Sequence, residues 1–339
     1  MFKQLKTNYR AIKSTALSGS AESRENMVIE RAVPDSTSFG KYKPVIDGFK
    51  TLINQGQFEV AANIIQEYSK FPFHDEAGVP IYYKMAQLLV NIGETESVAL
   101  DRLQLYKDWQ KNCPNCPYAA ASLAQAQMEM AWIYRGSDWA KNVSVNGWEK
   151  FQHHTKLAKD VFKKSTNFNE HWYWADVYQG FGLVECETAD QVLSRHDYVA
   201  KIIPNIPNIY TFTAYALLPR WYGDYVEVEK FARKAADQMA HRFDDGLYAY
   251  INLYLLEEHE EVEDLHIDEP RFRKGCHDWL ERVPSQYNRT RMISICYTEK
   301  LYNTAYELIC GLTEFHEDAY EADVDIYRVN ALCKEFYDV

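Results

Sequence analysis

A Cys-x-x-Cys pair is the first candidate for chemistry in this sequence. Cys113 and Cys116 directly precede a helical pattern. Thioredoxin-type redox sites use this spacing, because the N-terminus of a helix lowers the pKa of a thiol. The strand–helix–strand context of such sites is missing, and no second pair of cysteines with this spacing supplies the other ligands of a zinc site. We therefore expect ordinary loop thiols here.

The motifs of phosphate-binding loops, dinucleotide-binding proteins, serine hydrolases and zinc proteases are missing from the sequence. His153 and His154 are adjacent, which is a poor spacing for two metal ligands on one helix. Scattered carboxylates such as Asp176, Glu185 and Glu187 have no spacing that pairs them for acid–base chemistry. We predict no catalytic residue, no cofactor and no metal ion from these patterns. An enzyme whose site is assembled from distant residues remains an alternative.

The segment from Glu257 to Glu269 holds eight acidic residues and two histidines but no lysine or arginine. A solvated linker is one interpretation, because blocks of like charge usually repel and stay hydrated. A landing site for a basic protein is the second. A divalent-cation site is the third, although the spacing of an EF-hand is missing. The partner-binding candidates in this segment are Glu257, Glu258, Glu260, Glu261, Glu263 and Asp264.

Two other stretches crowd arginine, tryptophan and glycine together. The first is AWIYRGSDWAKNV, residues 131–143, and the second is LLPRWYGDYVEVEKFA, residues 217–232. Arginine and tryptophan are enriched at binding hot spots, so one interpretation is that both stretches line one groove. The other is structural, because an arginine beside buried rings can stack on a ring and bridge helix carbonyls. The partner-binding candidates are Arg135, Asp138, Trp139, Arg220, Trp221 and Tyr222.

The bulk composition narrows the class of protein. Of the 339 residues, 47% are hydrophobic and 25% charged, which is typical of a folded chain and not of a disordered one. The net charge of -12 argues against nucleic acid as the partner, because phosphate contacts need clustered lysine and arginine. No apolar run approaches the ~20 residues that span a bilayer, and no secretory signal is evident. The seven scattered cysteines indicate reduced thiols, so we expect a cytoplasmic protein.

Helical periodicity extends along the chain from Pro44, whereas strand signals are nearly absent. Apolar faces on both sides of Gly56 predict a helix-turn-helix hairpin. Capping patterns predict helix starts after Thr188 and Asp224. About fourteen helices, paired in units of roughly 35–45 residues, indicate an all-α fold built as an α-solenoid. An irregular all-helical globule is the alternative.

The predicted domain organisation is simple. Residues 1–40 carry the polar run STALSGSAES and are expected to form a flexible or loosely docked N-terminal arm. Residues 41–339 are expected to form a single helical-repeat domain.

Two resemblances bear on this interpretation. Trp132, Arg135, Gly136 and Trp139 have the spacing of the tetratricopeptide first helix, with arginine in place of leucine, and the glycine of that pattern lets the second helix pack closely. Residues 117–235 also resemble an uncharacterised bacterial family, domain of unknown function four thousand thirty-four. The matching residues are Ala131, Trp132, Arg135, Gly136, Leu218, Pro219, Arg220, Trp221 and Gly223. The resemblance implies a helical-repeat fold and no particular chemistry.

Together these patterns predict a non-enzymatic, cytosolic protein-binding module. Its most specific version is an immunity or antitoxin protein that neutralises a basic toxin, with acidic charge speeding capture and aromatic contacts slowing release. One alternative is a general scaffold or adaptor that binds peptides or helices in a groove. The other is the enzyme with a dispersed site.

Overall fold

The chain is mostly helical, as the sequence predicts. A computed structural model describes residue 29 and residues 31–33, 38–93, 95–136, 142–258, 260 and 262–337. None of the helices within these ranges is long and apolar enough to cross a membrane. The all-α class is therefore confirmed, with the small exception of a two-stranded parallel sheet.

The contacts of the backbone divide the chain into two compact units. Unit 1 consists of Met1–Lys43, His74–Gly78 and Asp224–Val339, and unit 2 consists of Pro44–Phe73 and Val79–Gly223. The predicted N-terminal arm, residues 1–40, lies mostly outside the described residues, and its described part includes a strand of unit 1.

Unit 2 contains ten α-helices within its described residues. They are α1 (Lys43–Asn54), α2 (Phe58–Tyr68), α3 (Ile81–Gln87), α4 (Glu96–Asn112), α5 (Pro117–Arg135), α6 (Val145–Lys164), α7 (Trp172–Gly180), α8 (Gly182–Glu185), α9 (Ala189–Ile202) and α10 (Asn208–Ala216). The turn predicted at Gly56 separates α1 from α2, and this glycine has a φ of +71°. The predicted cap of α9 is also present, since the Thr188 hydroxyl accepts a hydrogen bond from the backbone N–H of Gln191 at 3.3 Å.

The helices α5 and α6 pack together along much of their length. The buried residues of α5 include many alanines, whose small side chains let helices approach closely. Gly147 on α6 comes closest, because a Cβ atom there would lie 2.9 Å from the carbonyl oxygen of Tyr134. Gly136, the glycine of the tetratricopeptide spacing, has open space around it and a φ of +72°. It therefore serves to end α5 in a left-handed conformation, and Gly147 permits the close packing.

Unit 1 combines helices with the sheet. Its described elements are β1 (Arg31–Val33), α11 (Tyr225–Phe243), α12 (Gly246–Glu257), α13 (Val262–Leu265), α14 (Glu269–Arg282), α15 (Gln286–Thr298), α16 (Tyr302–Cys310), β2 (Glu314–His316) and α17 (Ile326–Tyr337). Asp224 caps α11 as predicted, since its Oδ1 accepts from the N–H of Glu227 at 2.8 Å. The two strands are missed by the sequence analysis because three residues are too few to show alternation.

Candidate functional site

A groove of about 860 Å³ lies in unit 2 between α6 and α9. These two helices, which the structure describes in full, do not pack closely against each other. The rings of α7 lie between them. Trp174 and Tyr178 are one helical turn apart on α7 and stack with their centroids 5.0 Å apart. Phe162 on α6 packs edge-on against both rings, at 5.3 Å from each. The floor of the groove is therefore aromatic.

Arg195 on α9 covers the opposite side of this floor. Its guanidinium carbon lies 4.0 Å from the centroid of the Tyr178 ring. The Nη1 group donates to the carbonyl oxygen of Tyr178 at 2.8 Å, and Nη2 donates to Oε2 of Glu185 at 2.5 Å. The side chain is only 9% exposed. Arg195 is therefore held rigidly, since its planar fork has an oxygen partner on each side and a ring beneath it.

An ion-pair chain links α6 to α9 across the short helix α8. Nζ of Lys159 lies 2.6 Å from Oε1 of Glu185, which also binds Arg195. Burial favours the neutral carboxyl, but the hydrogen bonds from Lys159 and Arg195 outweigh it and lower the pKa of Glu185. The hydrogen bond to Glu185 in turn raises the pKa of Lys159. Glu185 and Lys159 are therefore both charged near neutral pH.

The rims of the groove carry exposed polar side chains. Lys163 and Asn169 lie on the side of α6, and Glu187, Asp190 and Ser194 lie on the side of α9.

The groove also contains one cysteine. Burial raises the pKa of the Cys186 thiol, so it is protonated near neutral pH and is a poor nucleophile. Aromatic rings, a fixed arginine and charged rims are typical of a surface that binds a ligand through direct contacts.

The two aromatic–arginine stretches meet elsewhere in unit 2. The rings of Trp132 and Trp221 lie edge-to-face with centroids 6.3 Å apart. Arg135 lies 5.7 Å from the Trp132 ring, and Arg220 lies 4.8 Å from the ring of Tyr215. None of the candidate residues in these stretches that the structure describes lines the groove.

The other candidate side chains of these stretches differ in their contacts. The hydroxyl of Tyr222 donates to the carbonyl oxygen of Leu183 at 2.6 Å, which fastens the stretch to α8. Within the described part of the chain, the buried indole N–H of Trp221 has no hydrogen-bond partner. Asp138 and Trp139 lie outside the described residues.

Part of the acidic segment of unit 1 is engaged in contacts within that unit. Glu257 is exposed and forms a two-point ion pair with Arg291 of α15. Glu260 is 9% exposed and accepts a hydrogen bond from the hydroxyl of Tyr225 at 2.7 Å.

Three other acidic candidates of the segment lie at the end of α12 and on α13. Glu258 follows the end of α12 and is half-buried, and Glu263 and Asp264 are exposed on α13. Glu261 lies outside the described residues. Part of the segment thus stabilises unit 1, and Glu263 and Asp264 remain at the surface.

The thiol and histidine pairs have local roles. Cys116 directly precedes α5, and burial raises the pKa of its thiol, which is opposite to the shift that a redox nucleophile requires. Burial also lowers the pKa of His154 to about 4, and its Nδ1 lies 2.7 Å from Oε1 of Gln127. Among the residues that the structure describes, no three His, Cys, Asp or Glu side chains are placed to hold a metal ion.

Two carboxyl groups of unit 2 lie away from the groove. Asp176 is on the face of α7 opposite the stacked rings, where the Tyr83 hydroxyl donates to its Oδ1 at 2.8 Å. Burial raises the pKa of Asp176 to about 6 and that of Glu129, on α5, to about 7. Neither residue lines the groove.

Comparisons of the chain with family models, with curated proteins and with solved structures find no significant match in any of the three.

The sequence analysis named none of Trp174, Tyr178, Arg195 or Lys163. A signal was available in the segment HWYWADVYQGF, where five of eleven residues are tryptophan, tyrosine or phenylalanine. Spacing alone does not show whether such rings fill a core or line a groove.

Proposed function

We propose that this protein is a non-enzymatic binding module that holds a segment of a partner protein in the groove of unit 2. The aromatic floor with Arg195 fixed upon it carries the proposal. Tyrosine and arginine are among the residues most enriched at binding hot spots, and the buried Trp174 supports the ring of Tyr178. The volume of about 860 Å³ lies within the ~300–1,000 Å³ of typical ligand sites, so a few residues fit and a whole domain does not.

The groove is also preorganised for binding. Trp174 is held by a hydrogen bond from its indole N–H to the Ser165 hydroxyl at 3.0 Å. Arg195 and Glu185 restrain each other, and Tyr198 donates its hydroxyl to the carbonyl oxygen of Asn169 at 2.9 Å. Ordering a side chain on binding costs about 0.5–1.5 kcal/mol, and side chains that are already fixed avoid most of that cost.

The proposal includes a helical-repeat architecture and a cytoplasmic location. The antiparallel packing of α5 on α6, and the contacts of α9 with α10, support repeated helical pairs like those of tetratricopeptide proteins and of the bacterial family that residues 117–235 resemble. All seven cysteines are free, which supports a reducing compartment.

A second candidate function is the capture of a basic toxin through the acidic segment of unit 1. Glu263 and Asp264 are exposed, and the net charge of -12 would steer a basic partner toward the protein. Such a partner would bind more slowly at high salt. Glu257 and Glu260 contribute less to this surface, because they serve contacts inside unit 1.

A pull-down from lysate of the native host tests the primary proposal. The bait proteins are the wild type, Ser194→Trp, and Asp197→Trp as a matched control. Ser194 is exposed and lines the groove, whereas Asp197 is exposed on the same helix but does not line it. We expect a protein, identified by mass spectrometry, that binds the wild type and the control but not Ser194→Trp.

Equal capture by all three baits would move the binding site away from the groove. Capture that is lost in high salt and on replacing Glu263 and Asp264 by alanine would favour the toxin-binding candidate. Absence of any captured protein would contradict both.

A further inference from the structure

The two ends of the groove in unit 2 differ in charge. Asp190, in the first turn of α9, and Glu187, just before it, mark one end and are exposed. Lys163, in the last turn of α6, marks the other end. We call these the acidic end and the basic end.

The neighbouring helix termini reduce this difference without removing it. A helix N-terminus carries about half a positive charge and a C-terminus about half a negative charge. The two carboxylates at the start of α9 therefore leave about -1.5 charges there, and Lys163, which lines the groove at the end of α6, leaves about +0.5. Between the ends, Lys159 and Arg195 both pair with Glu185, which leaves one net positive charge held within this cluster. The charged side chains of the rims outside this cluster lie at the two ends.

The centre of the groove is suited to an apolar side chain. Tyr178 and Tyr198, both half-buried, pack edge-to-face there with centroids 6.1 Å apart. The guanidinium of Arg195 is committed to Glu185 and to the carbonyl oxygen of Tyr178. An anion entering the centre would have to compete with Glu185 for Arg195, and a cation would meet Arg195 itself.

Helix geometry gives the distances between the centre of the groove and its two ends. Asp190 and Tyr198 are eight residues apart on α9, which corresponds to about 12 Å. Lys159 and Lys163 are four residues apart on α6, or about 6 Å. An extended chain advances about 3.3 Å per residue and covers these distances in about two to four residues.

Resting on the function proposed above, we propose that the groove recognises an extended protein segment with charges of opposite sign on either side of a bulky apolar residue. The basic residue of the segment lies against Glu187 and Asp190, the apolar residue lies against Tyr198 and the edge of the Tyr178 ring, and the acidic residue lies against Lys163. The partner is thus defined by a zwitterionic pattern and not by net charge.

Selection from a random dodecapeptide library displayed on phage tests this pattern. The targets are the wild type, Lys163→Glu, and the double variant Glu187→Lys with Asp190→Lys. Against the wild type we expect peptides with one basic and one acidic residue about two to four positions from a central apolar residue. Lys163→Glu makes both ends acidic and should select peptides with two basic residues. The double variant should select peptides with two acidic residues, and neither outcome depends on the direction in which the peptide binds.

Control variants carry single charge reversals outside the groove. Lys156→Glu on α6 and Asp197→Lys on α9 are at exposed positions that do not line it, and both should select the wild-type pattern. A synthetic peptide from the wild-type selection should bind Lys163→Glu about fivefold more weakly, as expected for a partly exposed ion pair. Its affinity for Lys156→Glu should be unchanged.

The outcomes separate this inference from the function on which it rests. An identical enriched pattern on all five targets, or enrichment of apolar peptides without charge preference, would overturn the charge pattern and leave a binding module in place. Enrichment that persists on Ser194→Trp would place the peptide outside the groove. If no peptide is enriched, the charge pattern is overturned, and the pull-down separately decides the binding function.

Discussion

The groove of unit 2 and the α12–α14 interface of unit 1 are built from the same kinds of residue. Each combines arginine, a carboxylate and a tyrosine. In unit 1, Arg271 lies over the ring of Tyr248 at 5.1 Å and binds Asp245 at 2.8 Å. In unit 2, Arg195 has the corresponding relation to Tyr178 and Glu185. In unit 2 these residues border the groove.

The spacing of the helices explains the difference. In unit 1, a Cβ atom at Gly275 of α14 would lie 2.4 Å from the carbonyl oxygen of Asp245, and one at Gly246 would lie 3.2 Å from the backbone nitrogen of Trp279. These glycines bring the two backbones together, so the arginine fills the seam between them. In unit 2, α6 and α9 meet through the rings of α7 and through ion pairs. Side-chain chemistry alone therefore does not make a binding site, and open space beside it is also needed.

The largest expected effect comes from forcing the closed interface apart. Gly275→Ala should destabilise the protein by about 3 kcal/mol, because the new methyl group would collide with backbone that cannot move aside. Chemical unfolding measures the change. Gly48→Ala on α1 is the control, since nothing lies within 4 Å of its added Cβ, and it should be neutral or slightly stabilising. Equal effects of the two substitutions would contradict the role assigned to Gly275.

Buried carboxyl groups that lack an arginine partner should make the free energy of unfolding depend on pH. Glu129 has a hydrogen bond from Gln125 at 3.2 Å, and burial raises its pKa to about 7. The folded state then holds a proton that the unfolded state releases near pH 4.5, so stability falls as the pH rises from there to about 7 and is constant above. Glu129→Gln should reduce the loss of stability between pH 5 and pH 8 by about 2 kcal/mol.

Denaturant unfolding at the two pH values measures this change. Glu149→Gln, at an exposed position on α6, controls for the altered net charge. An unchanged difference between pH 5 and pH 8 in Glu129→Gln would show that the carboxyl is ionised in the folded protein throughout this range.

Replacing the arginine of the groove should have a smaller effect. Arg195→Lys keeps the charge but loses the planar fork that joins Glu185 to the carbonyl oxygen of Tyr178. We expect a destabilisation of about 1.5 kcal/mol and weaker binding of peptides selected on the wild type. A calorimetric titration with such a peptide would separate the two effects. Full stability together with lost binding would mean that Arg195 contacts the ligand directly and does not hold the floor.

The sequence predicts the helices better than it predicts the site. Apolar periodicity on both sides of Gly56 and the caps at Thr188 and Asp224 are local signals, and the structure has helices at those places. The groove depends on the distance between α6 and α9, which no local pattern encodes. Similarly, Glu260 belongs to an evidently acidic run, yet Tyr225, thirty-five residues earlier, makes it an internal group. Contacts with residues distant in sequence therefore determine which acidic side chains remain exposed to a partner.

The smallest expected effect on stability is at the rim. Lys163 is exposed in the last turn of α6, where its charge favours the helix terminus by only a few tenths of a kcal/mol. Lys163→Glu should therefore change the free energy of unfolding by less than about 0.5–1 kcal/mol while altering peptide selection. Thermal unfolding beside the peptide titration compares the two readouts in one variant. A residue that serves only in recognition can be reversed in charge with little effect on the stability of the fold. A large loss of stability would therefore mean that Lys163 helps to hold unit 2 together, as Arg271 does in unit 1.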